Sequence, residues 1–310
     1  MSHAVLIENP KAGRSSPGAL RVAERALAAT FELELVTTNA RGHAAALARE
    51  AVEAGAKTVI AFGGDGTVNE VVNGLLDGGD STNVNLAVLP GGTTNVLARN
   101  LGYPNDLVEA TAQLIEIVER GEPHRIPVGR ITAESEHGHL TRDFTFAAGL
   151  VFDAEIVRRV NQSKRGRGDG VFIWNGLRAY SKLRGLEHPD LTIETPGGPQ
   201  DAYWACIAMT DPFTYYRKRP LRIVPHAEGT DGLDLVAGKQ VGFWRTLRWL
   251  TQAMTSAKHV NHPDAVHLVD QPEIRVRAHT PVPLQTDGEY LGEITALRAV
   301  PLLSAVGVWA

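Results

Sequence analysis

With 310 residues, 43% hydrophobic and 21% charged, the chain has the composition of a globular protein of one large or two ordinary domains, which excludes disordered and fibrous classes. Its single cysteine, Cys206, excludes an intramolecular disulfide and a cysteine-rich zinc site, and fits a reducing compartment. The net charge of −4 hides an asymmetry: residues 1–126 carry 10 Lys/Arg against 15 Asp/Glu, whereas residues 158–222 carry 12 against 6.

From the N-terminus the pattern alternates strand and helix. Residues 4–9 (AVLIEN) form a short apolar run that reads as a buried strand, and Leu20, Ala23 and Leu27 share one face of a helix over 18–30. Phe31, Leu33 and Leu35 alternate with charged residues at the period of a half-buried strand over 31–38. An Ala-rich helix over 43–54 stops at Gly55, and the strand 58–62 runs into Gly63-Gly64-Asp65-Gly66. Val68, Val71, Val72 and Leu75 mark the next helix, followed by a strand over 85–89 and helices over 93–101 and 106–120. The last opens with Asp106 and Glu109 at capping-box spacing and closes at Gly121. This order predicts a parallel sheet covered by helices on both faces, with right-handed crossovers.

Beyond about residue 124 the pattern changes. Residues 125–132, 143–148, 203–209, 221–224, 233–237 and 273–278 read as strands between Gly/Pro/Asp turns. Helices are expected only over 170–183 and 243–254, the second with Trp244, Leu247, Leu250 and Met254 on one face. The expectation is an α/β domain at 1–126 and a β-rich, mostly antiparallel domain at 127–310, whose final residues, about fifteen, return to the first. No apolar run reaches the roughly 18 residues of a membrane helix, and no basic leader precedes an apolar stretch. A cytoplasmic protein with at most peripheral contact with the inner membrane face is expected.

The chemistry concentrates in turns that follow strands. Gly63-Gly64-Asp65-Gly66-Thr67, continued by Asn69 and Glu70, joins a buried strand to a helix, where ligands of open α/β sheets bind. Glycines let backbone N–H groups approach a ligand, and the helix start favours an anion, so a polyphosphate is the expected occupant. Pro90-Gly91-Gly92-Thr93-Thr94-Asn95 is a second such turn, in which Thr93 can cap a helix or meet a phosphate. Asn9-Pro10-Lys11-Ala12-Gly13 supplies a third wall and a cation. No Gly-x-x-x-x-Gly-Lys-Ser/Thr is present, the first turn lacks Gly-x-Gly-x-x-Gly, and there is no His-Glu-x-x-His. Thr286-Asp287-Gly288-Glu289 and Asp231-Gly232 read equally as hairpin turns or as functional loops. Two basic clusters, Arg158, Arg159, Lys164, Arg165 and Arg167, and Arg217, Lys218, Arg219 and Arg222 after Tyr215-Tyr216, suit an anionic bilayer better than nucleic acid, for which no module is recognisable.

Taken together, residues 9–13, 63–70 and 89–102 (LPGGTTNVLARNLG) resemble the diacylglycerol-kinase catalytic-domain superfamily, which includes soluble bacterial lipid kinases and the sphingosine and ceramide kinases. Similarity continues through 146–157 (FAAGLVFDAEIV), 230–235 (TDGLDL) and 285–289 (QTDGE). The resemblance implies ATP at Asn9, Pro10, Lys11, Ala12, Gly13, Thr38, Gly63, Gly64, Asp65, Gly66, Thr67, Asn69, Glu70 and Thr93. It implies a catalytic carboxylate in Asp287-Gly288-Glu289, with Asp287 slightly favoured as base, and Asp65 in an acidic network around a catalytic Mg²⁺. It also implies a structural Mg²⁺ loop of Asp231 with the carbonyls of Glu228 and Leu233. Asn95-Val96 departs from the Asn-Asp of many members. The expected function is γ-phosphoryl transfer from ATP to a lipid such as diacylglycerol, in a cleft between domains, at a membrane surface; a homodimer is compatible with the sequence. The rivals are a NAD kinase with Asp65 as base, and a nucleotide- or lipid-binding regulator without turnover.

Overall fold

The computed structural model describes residues 1–11, 16–78, 83–136, 138–162, 188–216, 219–227 and 232–310. The expected helix over 170–183 lies outside these residues. The chain forms two compact units, Met1–Val128 with Leu303–Ala310, and Gly129–Leu302.

In the first unit, β1 (Ser2–Glu8), α1 (Pro17–Thr30), β2 (Phe31–Thr37), α2 (His43–Glu53), β3 (Thr58–Gly63), α3 (Asp65–Asp77), β4 (Asn85–Pro90), α4 (Val96–Asn100) and α5 (Leu107–Arg120) follow in sequence. Their strands pair in parallel in the order β4-β3-β1-β2. β3 is buried at every residue, as a central strand covered on both faces must be. β2 is the edge, so its alternation is imperfect: Leu35 is 45% exposed. The chain's end completes this sheet. Gly307 and Val308, the last turn of the long strand β16 (Glu289–Val308), pair in parallel with Asn85 and Leu86 of β4. The Trp309 N–H donates to the Leu86 carbonyl at 2.9 Å, its indole N–H donates to Thr58 Oγ1 at 3.1 Å, and the Tyr103 hydroxyl donates to the Trp309 carbonyl.

The helices start and stop as side-chain chemistry dictates. Asp106 accepts the N–H groups of Val108 and Glu109 at the head of α5, and Gly121 ends it at φ 75°. α2 and α3 pack so closely that Gly74 has no space for a side chain: a Cβ there would overlap the Ala45 carbonyl. α4 starts at Val96, three residues later than expected, because Gly91–Thr94 are consumed by the turn.

The second unit contains most of β5 (His124–Ser135), then β6 (Gly138–Phe144), β7 (Ala147–Leu150), α6 (Phe152–Gln162), β8 (Leu191–Ile193), β9 (Gln200–Ala202), β10 (Trp204–Ala208), β11 (Thr214–Tyr216), β12 (Arg219–Leu221), β13 (Leu233–Gly238), α7 (Phe243–Ala253), a 3-10 turn (Lys258–Asn261), β14 (Ala265–Gln271), β15 (Ile274–Thr286) and most of β16. Strands run antiparallel in the order β14-β13-β10-β7-β15-β16, with β8 paired to β15 and β9 to β8. Phe144, Leu150, Ile207, Leu235, Val276 and Leu284 are among the side chains of its core. The architecture is thus a parallel α/β unit followed by an antiparallel β-rich one.

Three local expectations change. The strand over 143–148 is split at Thr145-Phe146, whose N–H groups are diverted to a carboxylate. The strand over 221–224 ends at Leu221, because Arg222 N–H instead donates to the Ala253 carbonyl at 2.9 Å. α7 turns its other side inward: Trp249 and Ala253 are buried, and Trp244 and Leu247 face out.

Alanine for glycine in an exposed helix interior gains about 1 kcal/mol. At Gly74 the backbone overlap outweighs that gain, so Gly74→Ala should lower stability by about 1–3 kcal/mol, measured by denaturant unfolding. An unchanged or raised midpoint would refute the α2–α3 contact.

Candidate active site

Parallel pairing gathers the loops after β1, β2, β3 and β4 at one end of the sheet. In the order β4-β3-β1-β2 the chain leaves β1 in opposite directions, so the loops of β1 and β3 flank the switch point at which such sheets bind ligands. Asn9, Pro10 and Lys11 lie there, with Thr38 on the neighbouring loop; Ala12 and Gly13 lie outside the described residues. Asn9 N–H donates to the Phe62 carbonyl at 3.0 Å, and its amide donates to Thr67 Oγ1 at 2.8 Å. Asn9 Oδ1 accepts the Lys11 N–H, folding the loop back and leaving Lys11 exposed. Thr38 N–H donates to the Glu8 carbonyl, extending the β1–β2 register by one residue.

The two glycine turns press against each other. Gly91 N–H donates to the Gly63 carbonyl at 2.8 Å, and a Cβ on Gly92 would lie 2.5 Å from the Gly64 Cα. A Cβ on Gly63 would meet Thr67 at 2.6 Å. These glycines are required by close approach, not by positive φ. Asp65, half-buried in the first turn of α3, reaches across: its Oδ1 accepts the Val96 N–H at 2.5 Å and so caps α4. The expected Thr93 cap is therefore replaced by Asp65, and Thr93 itself is exposed. Asn95, at φ 50°, ties the second turn by accepting the Gly92 N–H and donating to the Gly92 carbonyl and Asn105 Oδ1. Val96, the departure from Asn-Asp, is buried.

Two residues that continue the Gly-Gly-Asp-Gly motif sit below the surface. Glu70 is buried, and its carboxylate accepts the Gly42 N–H at 2.8 Å and the Ala44 N–H at 3.2 Å. It supplies the cap that α2, whose N-cap is Gly42, cannot supply itself. Asn69 is buried and accepts from the Asn73 amide. The structure places both within the scaffold of α2 and α3; Gly66 and Asp65 are nearer the surface.

Asp287 and Glu289 belong to the second unit. Asp287 and Gly288 have φ of 47° and 79° between the paired Thr286 and Glu289, the positive values that a two-residue type I′ hairpin needs. The turn is more than a connection. Asp287 is 1% exposed, and its carboxylate accepts the N–H groups of Thr145, Phe146 and Ala147 at 2.6, 3.1 and 3.0 Å and the Thr145 hydroxyl at 2.9 Å. Glu289 forms an ion pair with Arg142 at 2.6 Å. Gly288 N–H donates to Gln285 Oε1 at 2.8 Å, and the Gln285 amide donates to Asp153 Oδ2 at 2.5 Å. Asp153, Gln285 and Thr145 were not singled out from the sequence. Asp153 and Gln285 lie within the motifs 146–157 and 285–289, but neither motif says which residues meet, and Thr145 lies just outside the first.

Leu233 opens β13, while Glu228 and Asp231 lie outside the described residues. Among the described residues no group of three or more His, Cys, Asp or Glu is placed to hold a metal. Arg158 and Arg159 both pair with the buried Glu155 at 2.6 Å, so one of their two charges is balanced within the helix; Lys164, Arg165 and Arg167 lie outside the described residues. Cys206 is buried in β10.

Burial raises the Asp153 carboxyl to about 6, opposed by the Gln285 hydrogen bond. A carboxyl raised on folding binds more protons when folded, so between pH 4 and 6 it makes stability fall as pH rises, with its full cost present at pH 7. Asp153→Asn should flatten that decline and raise stability at pH 7 by about 1–2 kcal/mol, allowing for partial exposure. Parallel stability–pH profiles for the two proteins would contradict this.

Residues 3–131 match the diacylglycerol kinase catalytic domain family, and residues 146–306 match the YegS C-terminal NAD kinase beta sandwich-like domain family. A curated diacylglycerol kinase of Staphylococcus aureus (strain JH9) is 26% identical over 299 residues, 94% of this chain and 87% of the relative. A diacylglycerol kinase structure from Bacillus anthracis strain Sterne aligns with a TM-score of 0.67 at 22% identity, covering 99% of this chain and 96% of the other. Yeast NADH kinase complexed with NADH aligns at 0.56 and 11% identity, covering 99% and 82%, which shows a shared fold. Both matched segments, and the loops assembled at the sheet end, lead to one conclusion: the chain belongs to the diacylglycerol kinase catalytic-domain superfamily of phosphotransferases.

Proposed function

We propose that this protein transfers the γ-phosphoryl group of ATP to the hydroxyl of a lipid of the diacylglycerol class. The observation that carries the reading is the pair of glycine turns locked together at the carboxyl ends of β3 and β4, with Asn9, Lys11 and Thr38 on the adjoining loops. Phosphoryl transfer asks for little covalent help. It needs phosphates held by backbone N–H groups and cations, and an acceptor oxygen placed in line. Gly63, Gly64, Gly66, Thr67 and Thr93 line the proposed nucleotide side, with Glu70 and Asn69 shaping it from beneath.

Mg²⁺ keeps few protein ligands in such sites, one or two carboxylates with phosphate and water oxygens completing the shell. Asp65, a half-buried carboxylate at the head of α3, meets that requirement and would hold the ion. When bound, Mg²⁺ neutralises phosphate charge. The second Mg²⁺, of structural type, would take the Asp231 carboxylate with the backbone carbonyls of Glu228 and Leu233.

Glu289 is assigned as general base. The lipid O–H proton passes to its carboxylate while the oxygen bonds to the γ-phosphorus and ADP leaves. Asp287, the residue the sequence slightly favoured, has both oxygens committed to four hydrogen bonds from residues 145–147 and serves to hold the turn. The Arg142 pairing orients Glu289. In the rival NAD kinase reading Asp65 is the base; in the present reading its Oδ1 accepts the Val96 N–H and the carboxylate is assigned to Mg²⁺.

Glu289→Gln, whose amide oxygen can still accept from Arg142, should remain folded with a modestly lower melting temperature and lose about 10²–10⁴-fold in kcat for lipid phosphorylation. Asp287→Asn should lose activity together with stability, by about 1–3 kcal/mol, since an amide cannot accept four hydrogen bonds. An Asp287→Asn protein that melts like wild type but is inactive, beside an active Glu289→Gln, would reverse the two roles.

A further inference from the structure

We propose that the outer face of α7 is a membrane-docking surface for an anionic bilayer, which rests on the reading of a lipid acceptor. Phe243, Trp244 and Leu247 are 44%, 78% and 48% exposed, and Met254 lies beyond them on the same side. The exposure is not loose packing. The inner face is anchored by buried Trp249, whose ring meets Trp204 at 5.8 Å edge-on and also lies against His259 and His262. The Phe243 and Trp244 rings contact each other edge-on at 5.1 Å and form one outward ridge.

Two features of this face select a lipid surface over water. First, its threonines are already satisfied: Thr251 Oγ1 donates to the Leu247 carbonyl at 2.9 Å and Thr255 Oγ1 to the Thr251 carbonyl at 2.7 Å. Neither hydroxyl needs a water partner, so burying them in a headgroup region costs little. Second, its charge is of one sign. Residues 235–263 contain no Asp or Glu; Arg248 stands exposed one turn from Trp244 on the same side of the helix, and Lys258 is exposed in the turn that follows it. Of the acids described on neighbouring segments, Asp264 pairs with Arg245 at 2.6 Å and Asp211 with Arg222 at 3.3 Å.

The patch extends beyond the helix. Arg222 N–H donates to the Ala253 carbonyl, which binds the end of the β11–β12 hairpin, with exposed Arg219, to the C-terminus of α7. An aromatic-aliphatic ridge flanked by exposed cations is the pattern of a helix lying in a bilayer interface. An exposed Trp suits the headgroup level, and each cation near an anionic surface adds attraction that salt weakens.

Vesicle flotation tests this, with phosphatidylcholine alone and phosphatidylcholine containing phosphatidylglycerol. Wild type should float with the anionic vesicles, and added salt should weaken binding. Arg248→Ala/Lys258→Ala should bind about 25-fold more weakly to anionic vesicles. Trp244→Ala/Leu247→Ala should lose at least about tenfold. Both variants should melt as wild type and phosphorylate a short-chain diacylglycerol in solution as well as wild type does. Unaltered flotation of both variants would overturn the proposal. So would an apolar variant that is monomeric where wild type sediments as a dimer, which would assign the face to a second copy of the chain. A chain inactive on every lipid but still bound to vesicles through α7 would refute the kinase reading and leave the docking surface standing.

Discussion

A backbone N–H stranded away from water costs about 1–3 kcal/mol, and this chain meets that cost at its turns with motif carboxylates. Asp65 takes the Val96 N–H, Glu70 takes those of Gly42 and Ala44, and Asp287 takes three in succession from Thr145 to Ala147. Each acid thereby fixes a turn that local residues could not hold. α2 and α4 begin without a side-chain cap of their own, and β6 is severed from β7 where the backbone bends to Asp287. The closeness of the two glycine turns depends on the same device, since the cap on α4 comes from the turn it must stay beside.

This constraint separates what was legible in the sequence from what was not. The parallel unit was readable because its signals are local and repeated: the apolar run of β3, the Asp106 cap, and the stops at Gly55 and Gly121 each declare themselves within a few residues. The second unit was harder. β8, β9 and β11 have three residues each, too few for a period to register, and whether residues 221–224 form a strand depended on the distant Ala253 carbonyl. α7 shows the weakness of periodicity most clearly. Apolar residues line both sides, and spacing alone selected the side holding Trp244 over the one holding Trp249.

At the site, residue types were legible and their duties were not. Asp65, Glu70, Asp287 and Glu289 stood out as chemically capable groups, but pattern cannot tell a carboxylate facing a ligand from one facing an N–H. Glu70 and Asp287 are buried and spoken for, which moves the proposed chemistry onto Asp65 and Glu289. Asp153 and Gln285 were silent because their value lies in a contact between residues 132 apart in the chain.

The central claim is that the γ-phosphoryl group goes to a lipid hydroxyl, in a fold that NADH kinase shares. The most direct measurement is the fate of label from γ-labelled ATP, offered diacylglycerol in mixed micelles and NAD in the same reaction. Label in the lipid fraction with none in NAD is the result this account predicts. Label in NAD with none in lipid would contradict it and return the role of base to Asp65.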